Sequence, residues 1–170
     1  MISIVAATEQ DIPKIMEIER EAISPPWSHG ALLDEISRDD SFFAVAASKC
    51  GIRNSEFGID NEGTYDGSFF QLLGFIILRR MADEGELLQI AVEKDARRRG
   101  VADMLMGAAI GFAAENTLNA VHLEVRKSNE AAIALYKKQG FSSVRHRRDY
   151  FDSPVEDAVV MSRELTGESR

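Results

Sequence analysis

The feature that most constrains this chain is a short basic loop with one glycine, which joins an apolar segment to an amphipathic helix. The apolar segment LLQIAV ends at Val92, and the loop EKDARRRG then runs to Gly100. The apolar side chains of the next segment recur at helical spacing, at Val101, Leu105, Ala108 and Phe112. The sequence therefore predicts a strand, a tight loop and a helix in direct succession.

Strands and helices alternate along the rest of the chain as well. Helix caps are predicted at three places, with the candidate residues Thr8, Ser28 and either Ser128 or Asn129. Strands are predicted over residues 1–7, 41–48, 69–80, 86–92, 120–126, 141–148 and 158–163. Their mixed order with the helices indicates an α/β fold.

The length of 170 residues is typical of one domain, so we predict a single domain over residues 1–170. Residues 49–68 are rich in glycine, asparagine, aspartate and serine, which predicts a long loop. Loops of about 20 residues are uncommon in compact domains. We therefore expect a loop insertion at 49–68.

Charge and cysteine content narrow the expected partners and location. Twenty Lys and Arg against 28 Asp and Glu give a net charge of -8, which disfavours nucleic acid and anionic membranes as partners. Cys50 is the only cysteine, so no internal disulfide is possible and a reducing cytoplasmic location is expected. We find no signal peptide and no apolar run long enough to span a membrane. The histidines lack ligand spacing, so no metal site is expected.

The loop over residues 97–102 has the properties of a phosphate-binding turn. The first backbone amides of a helix have no intrahelical partner, and they attract anions. Gly100 would let the backbone approach a pyrophosphate, while Arg97, Arg98 and Arg99 would add charge-assisted contacts. The alternative is a solvated basic loop with a turn glycine, and this segment alone favours neither interpretation.

The spacing of Arg97, Gly100 and Ala102 resembles the acetyl-CoA pyrophosphate motif of the GNAT acetyltransferase superfamily. LEVRKSNEAAIALYKKQGF resembles the fifth strand and following helix of the ribosomal-protein-alanine N-acetyltransferases, and PPWS and RRDYF are similar to the same subgroup. The resemblance implies the GNAT fold, in which helices flank a mixed, mostly antiparallel central sheet. It also implies acetyl-CoA as the co-substrate.

The resemblance assigns a set of residues to acetyl-CoA. Backbone groups of Ile90, Ala91 and Val92 would pair with the acetyl and pantetheine portion as an added strand would. The pyrophosphate would lie against Arg97, Arg98, Arg99, Gly100, Val101, Ala102 and Asp103. Asn129 would contact the pantetheine arm, although a helix cap explains it equally well. Asp103 departs from the expected pattern, because an inward carboxylate would repel phosphate.

Two further residues would carry the chemistry. An α-amino group has a pKa of about 8, so it must lose a proton before it attacks a thioester. In VHLEVR, Glu124 faces away from the apolar positions, and the resemblance implies that it is the general base. Spacing alone favours an ion pair with Arg126 or another cation.

Tyr136 matches the residue that protonates the leaving CoA thiolate in the resembling subgroup, since a tyrosine hydroxyl with a pKa near 10 stays protonated. A core tyrosine is the competing interpretation. A backbone N–H within residues 90–92 would stabilise the oxyanion. No glycine-flanked serine elbow follows a strand, which favours direct transfer over an acyl-enzyme.

The expected reaction is acetylation of a protein N-terminal amine, with the N-terminal alanine of a ribosomal protein as the acceptor. One alternative keeps the chemistry and moves the acetyl group to a lysine side chain or a small-molecule amine. The other is a non-catalytic module that binds acetyl-CoA.

Overall fold

The computed structural model describes residues 1–49 and 70–165. Within them the strands are β1 Ile2–Ala6, β2 Ser41–Lys49, β3 Phe70–Met81, β4 Glu84–Val92, β5 Ala120–Arg126, β6 Ser142–Asp152 and β7 Val155–Glu164. The helices are α1 Ile12–Ala22, α2 His29–Ile36, α3 Val101–Glu115 and α4 Glu130–Lys138. Short 3-10 turns lie at Glu9–Asp11 and Lys94–Ala96.

The strands form one sheet in the order β1-β2-β3-β4-β5-β7-β6. The pair β4 and β5 is parallel, while the other neighbouring strands in the described residues are antiparallel. This arrangement confirms the predicted α/β fold with a mostly antiparallel sheet flanked by helices. The residue pairs between β4 and β5 end at Leu87 and Leu123, although both strands continue. We call the opening between residues 88–92 and 124–126 the split.

Helices cover both faces of the sheet because strand side chains alternate between the two faces. On one face, α1 and α2 bury Ile12, Ile15, Ile18 and Leu32 against side chains of β2 and β3 such as Phe43 and Phe75. On the other face, α3 and α4 bury Leu105, Met106, Ala109 and Tyr136 against Leu73, Ile76 and Leu123. The split therefore lies between two packed layers of helices.

Local signals in the sequence locate the helix ends correctly. Ala31 N–H donates to Ser28 Oγ at 3.1 Å, and Ala132 N–H donates to Asn129 Oδ1 at the same distance. Thr8 forms the predicted capping box with Asp11, although a 3-10 turn precedes α1 there. Gly140 follows α4 with φ +84°, a conformation that glycine adopts at little cost.

Several strand boundaries differ from the predictions. β4 begins at Glu84 rather than residue 86, because a two-residue turn suffices to join it to β3. β6 extends to Asp152 and β7 begins at Val155, since Asp152 pairs with Val155 across a tight turn. The predicted insertion at 49–68 lies outside the described residues, apart from Lys49 at the end of β2. In the described part of the chain, no helix has the length and apolar character needed to cross a membrane.

Candidate active site

Most of the predicted cofactor residues line one cleft of roughly 570 Å³ between the split, α3 and α4, which we call the α3 cleft. The predicted residues found there are Ile90, Ala91, Val92, Arg97, Arg98, Gly100, Val101, Ala102, Asp103, Asn129 and Tyr136. Arg99 is exposed and does not line this cleft. Glu124 lines a neighbouring cleft. The fold thus gathers into one place residues that are about 45 positions apart in sequence.

The loop before α3 depends on backbone conformations that favour glycine. Gly100 is the N-cap of α3 and has φ +80°, while Arg98 has φ +63°. A Cβ at Gly100 would meet no atom within 4 Å, so its conformation rather than a lack of space requires glycine. No protein atom therefore blocks this face of the loop, so a pyrophosphate could approach the backbone at Gly100 as the sequence predicts.

The first turn of α3 presents amide donors to the α3 cleft. Met104 N–H donates to Gly100 O at 3.1 Å, and this bond opens the helical ladder. Because helical bonds join residues four apart, the amides of Val101, Ala102 and Asp103 have no acceptor within the helix. Three such donors at the positive end of the helix dipole favour an anionic group.

Arg97 has a structural contact that the sequence did not reveal. Its Nε donates to the backbone carbonyl of Val92 at 3.1 Å. The side chain therefore links the basic loop to the end of β4, and both residues line the α3 cleft.

Asp103, the departure from the expected pattern, is bound by α4. Lys138 Nζ lies 2.8 Å from its Oδ1, and Gln139 Nε2 donates to the same oxygen at 3.0 Å. The hydrogen bond from Lys138 is the main cause that lowers the pKa of Asp103 below its ordinary value, against an opposing effect of burial. Its negative charge is therefore compensated within the protein, and the repulsion expected for an inward carboxylate is reduced.

Tyr136 belongs to both the core and the α3 cleft. Its side chain is 7% exposed and packs against Phe141, with the ring centroids 6.0 Å apart. Burial raises the pKa of Tyr136 to about 12, because the low-dielectric surroundings disfavour the phenolate. The hydroxyl therefore keeps its proton over the whole physiological range.

Glu124 lies in a cleft of roughly 380 Å³ next to β6, which we call the β6 cleft. Its side chain is 20% exposed, and its Oε1 lies 2.8 Å from Arg147 Nη1. Tyr150 also hydrogen-bonds to Glu124, and this bond is the main cause that raises the pKa of the Tyr150 hydroxyl. The guanidinium of Arg147 lies 5.3 Å from the ring centroid of Tyr150. Glu124 is thus held in a small network with β6.

The cation that pairs with Glu124 is Arg147 and not its strand neighbour Arg126. Arg126 instead donates to the carbonyls of Ser153 and Pro154 and contacts Glu156. Sequence spacing could not identify Arg147 or Tyr150 as neighbours of Glu124, because their contact depends on how β5, β7 and β6 pair. The only signal in the sequence was that both lie within the segment RRDYF.

Glu124 and Tyr136 line different clefts, on opposite sides of the sheet. Leu123 and Val125 point toward α3 and α4, so Glu124 between them points toward the face of α1 and α2. Tyr136 approaches from α4 on the other face. Because β4 and β5 are no longer paired beyond Leu87 and Leu123, Glu124 on one face and Tyr136 on the other both border the split.

Comparison with known proteins identifies the family of the chain. Residues 12–141 match the Acetyltransferase (GNAT) family. The ribosomal protein bS18-alanine N-acetyltransferase of Salmonella typhimurium is 32% identical over 163 residues, which is 95% of each chain.

Two solved structures share the fold. The crystal structure of the ribosomal-protein-S18-alanine N-acetyltransferase from Escherichia coli has a TM-score of 0.75 and 27% identity, with 100% of this chain and 99% of that chain covered. Arabidopsis thaliana NAA60 in complex with acetyl-CoA has a TM-score of 0.77 and 18% identity, with 98% and 100% covered, and supports the fold alone. The chain belongs to the GNAT acetyltransferase family and is an acetyl-CoA-dependent N-acetyltransferase.

Proposed function

We propose that this chain acetylates the N-terminal amine of a protein, and that its acceptor is a ribosomal protein with an N-terminal alanine. The observation that carries the proposal is the split, which borders the α3 cleft on one face of the sheet and the carboxylate of Glu124 on the other. The similarity to the ribosomal protein bS18-alanine N-acetyltransferase of Salmonella typhimurium supports the choice of acceptor.

The α3 cleft offers places for the pyrophosphate and the pantetheine arm of acetyl-CoA. The free amides in the first turn of α3, with Arg98 and Gly100 beside them, would hold the pyrophosphate. Residues 90–92 would pair with the pantetheine arm, since their pairing with β5 has already ended in the described chain. Asn129 caps α4 through its Oδ1, and it lines the same cleft. The bound molecule supplies the acetyl thioester.

Glu124 would act as the general base for the acceptor amine. Glu124 lies on the α1 and α2 face of the split, opposite the α3 cleft. An acceptor can therefore reach Glu124 from that face without displacing the cofactor. Arg147 already pairs with this carboxylate at 2.8 Å, and this contact supports a role for Glu124 in binding a cationic nitrogen. An acceptor ammonium would take the same kind of position and lose its proton to Glu124. A backbone N–H of residues 90–92 would then stabilise the developing oxyanion.

Tyr136 would donate a proton to the leaving thiolate. We expect Tyr136→Phe to lower kcat about tenfold, because a thiol with a pKa near 8.5 is already a fair leaving group. The KM for acetyl-CoA should change little, since Phe keeps the packing against Phe141. Steady-state kinetics from pH 6 to 10 would test this.

The pH dependence gives a second check on Tyr136. Because its pKa is raised to about 12, the hydroxyl stays protonated as pH rises through the ordinary tyrosine value, and the wild-type protein should show no alkaline loss from this group below about pH 11. A Tyr136→Phe variant with wild-type kcat would contradict the assignment.

The acceptor can be identified by mass spectrometry. The protein is incubated with acetyl-CoA and a peptide that begins with alanine and contains one internal lysine. We expect the mass gain of one acetyl group on the N-terminal residue and none on the same peptide with a formylated N-terminus. Acetylation of the blocked peptide would indicate a lysine acceptor. The absence of acetylation on either peptide, together with measurable acetyl-CoA binding, would contradict the proposed acceptor.

A further inference from the structure

A buried glutamate connects the segment between α1 and α2 to the strand at the split. We call residues 23–28, between Ala22 and His29, the elbow. Glu19 on α1 is completely buried, and its Oε1 accepts two hydrogen bonds. Trp27 N–H in the elbow donates one at 2.7 Å, and Gln89 Nε2 on β4 donates the other at 2.9 Å.

Stability does not explain this polar pair. The pair lies beside apolar core residues, since Ile15 and Ile18 share α1 with Glu19 and Ile77 pairs with Gln89 in the sheet. Two oxygens of the pair, Glu19 Oε2 and Gln89 Oε1, are among the buried atoms without a hydrogen-bond partner in the described residues. Buried polar groups that are only partly paired destabilise a core relative to apolar side chains of similar shape. The pair therefore points to a positional role.

The position of the pair is next to the proposed acceptor site. Gln89 contacts α1, so its side chain lies on the α1 and α2 face of the sheet. Glu124 points toward the same face from β5. Gln89 and Glu124 lie just beyond Leu87 and Leu123, where the pairing of the two strands ends. The elbow is thus fixed to one side of the split, and the proposed base lies on the other side.

We propose that Glu19 is a positioning residue that holds Trp27 and the elbow as a wall of the acceptor site. This proposal rests on the proposed function for the location of the acceptor. Glu19 hydrogen-bonds to Trp27 and Gln89, and neither of these is among the proposed cofactor residues or the proposed catalytic pair. We expect it to act through the backbone of Trp27. Trp27 packs against the cluster under α1 and α2 and is partly exposed, so it can present a surface to an acceptor while its backbone is held.

The test compares two substitutions at one site. Glu19→Met keeps the length of the side chain but removes both acceptors. Glu19→Gln keeps Oε1 for Trp27 N–H, and its amide can donate to Gln89 Oε1. We expect Glu19→Met to raise the KM for the acceptor peptide about tenfold, the effect of losing one buried hydrogen bond, with little change in the KM for acetyl-CoA. Glu19→Gln should restore the KM to within about twofold of wild type.

Trp27 is the only tryptophan, so its fluorescence reports on the elbow without any need for activity. We expect Glu19→Met to increase quenching of Trp27 by acrylamide, and Glu19→Gln to leave it at the wild-type level. Leu118→Ala, a core truncation on the α3 face, is the control for general destabilisation. It should lower the melting temperature without changing Trp27 quenching or the acceptor KM.

The outcomes separate this proposal from the proposed function. If Glu19→Met behaves like Leu118→Ala in quenching and in KM, Glu19 is only a structural residue and the proposal is wrong. If Glu19→Gln fails as fully as Glu19→Met, the carboxylate charge matters rather than the position of the elbow, which also overturns the proposal. If the wild type acetylates no amine, the proposed function fails, and Trp27 quenching still decides whether Glu19 holds the elbow.

Discussion

Glu124→Gln is expected to lower kcat/KM for the acceptor by about a hundredfold to ten-thousandfold, the usual contribution of a positioned general base. The amide keeps the shape and hydrogen-bonding reach of the carboxylate but cannot accept the amine proton at neutral pH. Binding of acetyl-CoA should be unchanged, because Glu124 lies outside the α3 cleft. Initial rates with an alanine-initiated peptide, together with calorimetric acetyl-CoA affinity, would measure both effects.

The control for this substitution is Glu86→Gln. Glu86 lines the same β6 cleft and is exposed, but its carboxylate projects from β4 and has no ion pair with Arg147. The Glu86→Gln variant should keep most of the activity if Glu124 is the general base. It should lose activity if any negative charge in the β6 cleft serves. Arg147 is 42% exposed, so the loss of its partner should cost little stability. Retention of wild-type rates by a folded Glu124→Gln variant would rule out this base.

The features that sequence predicted well are those with local causes. Ser28 and Asn129 cap helices because their side chains bond to amides three residues later, and Gly100 in the basic loop has a left-handed φ that glycine adopts at little cost. The alternation in VHLEVR correctly placed Glu124 away from Leu123, because strand geometry has a period of two. These signals need no knowledge of distant segments.

The features that sequence did not predict depend on pairing between distant segments. Arg147 on β6 comes close to Glu124 on β5 because both strands pair with β7, from its two sides. Glu19 meets Gln89 because α1 packs across β4, a contact between residues 70 positions apart. Asp103 showed the same limit: its position in the first turn of α3 was evident, but the contact with Lys138 that compensates its charge was not.

Gly100→Glu is expected to weaken acetyl-CoA binding about a hundredfold or more, from two separate causes. Any side chain at φ +80° strains the backbone, by about 1–2 kcal/mol for a left-handed residue. The added carboxylate would also lie at the open N-terminus of α3, where its charge opposes the pyrophosphate and occupies the amide donors. Calorimetric titration with acetyl-CoA would measure the loss.

Two further variants separate strain from charge at this loop. Gly100→Gln has the same strain and nearly the same volume without the charge, so it should lose several-fold less affinity than Gly100→Glu. Gly107→Glu adds the same charge on the exposed surface of α3, where a Cβ also meets no atom within 4 Å, and should bind normally. Equal losses in Gly100→Gln and Gly100→Glu would assign the effect to the backbone alone. Unchanged affinity in Gly100→Glu would refute the loop as the pyrophosphate site, because a carboxylate cannot share that position with a phosphate without a measurable repulsion.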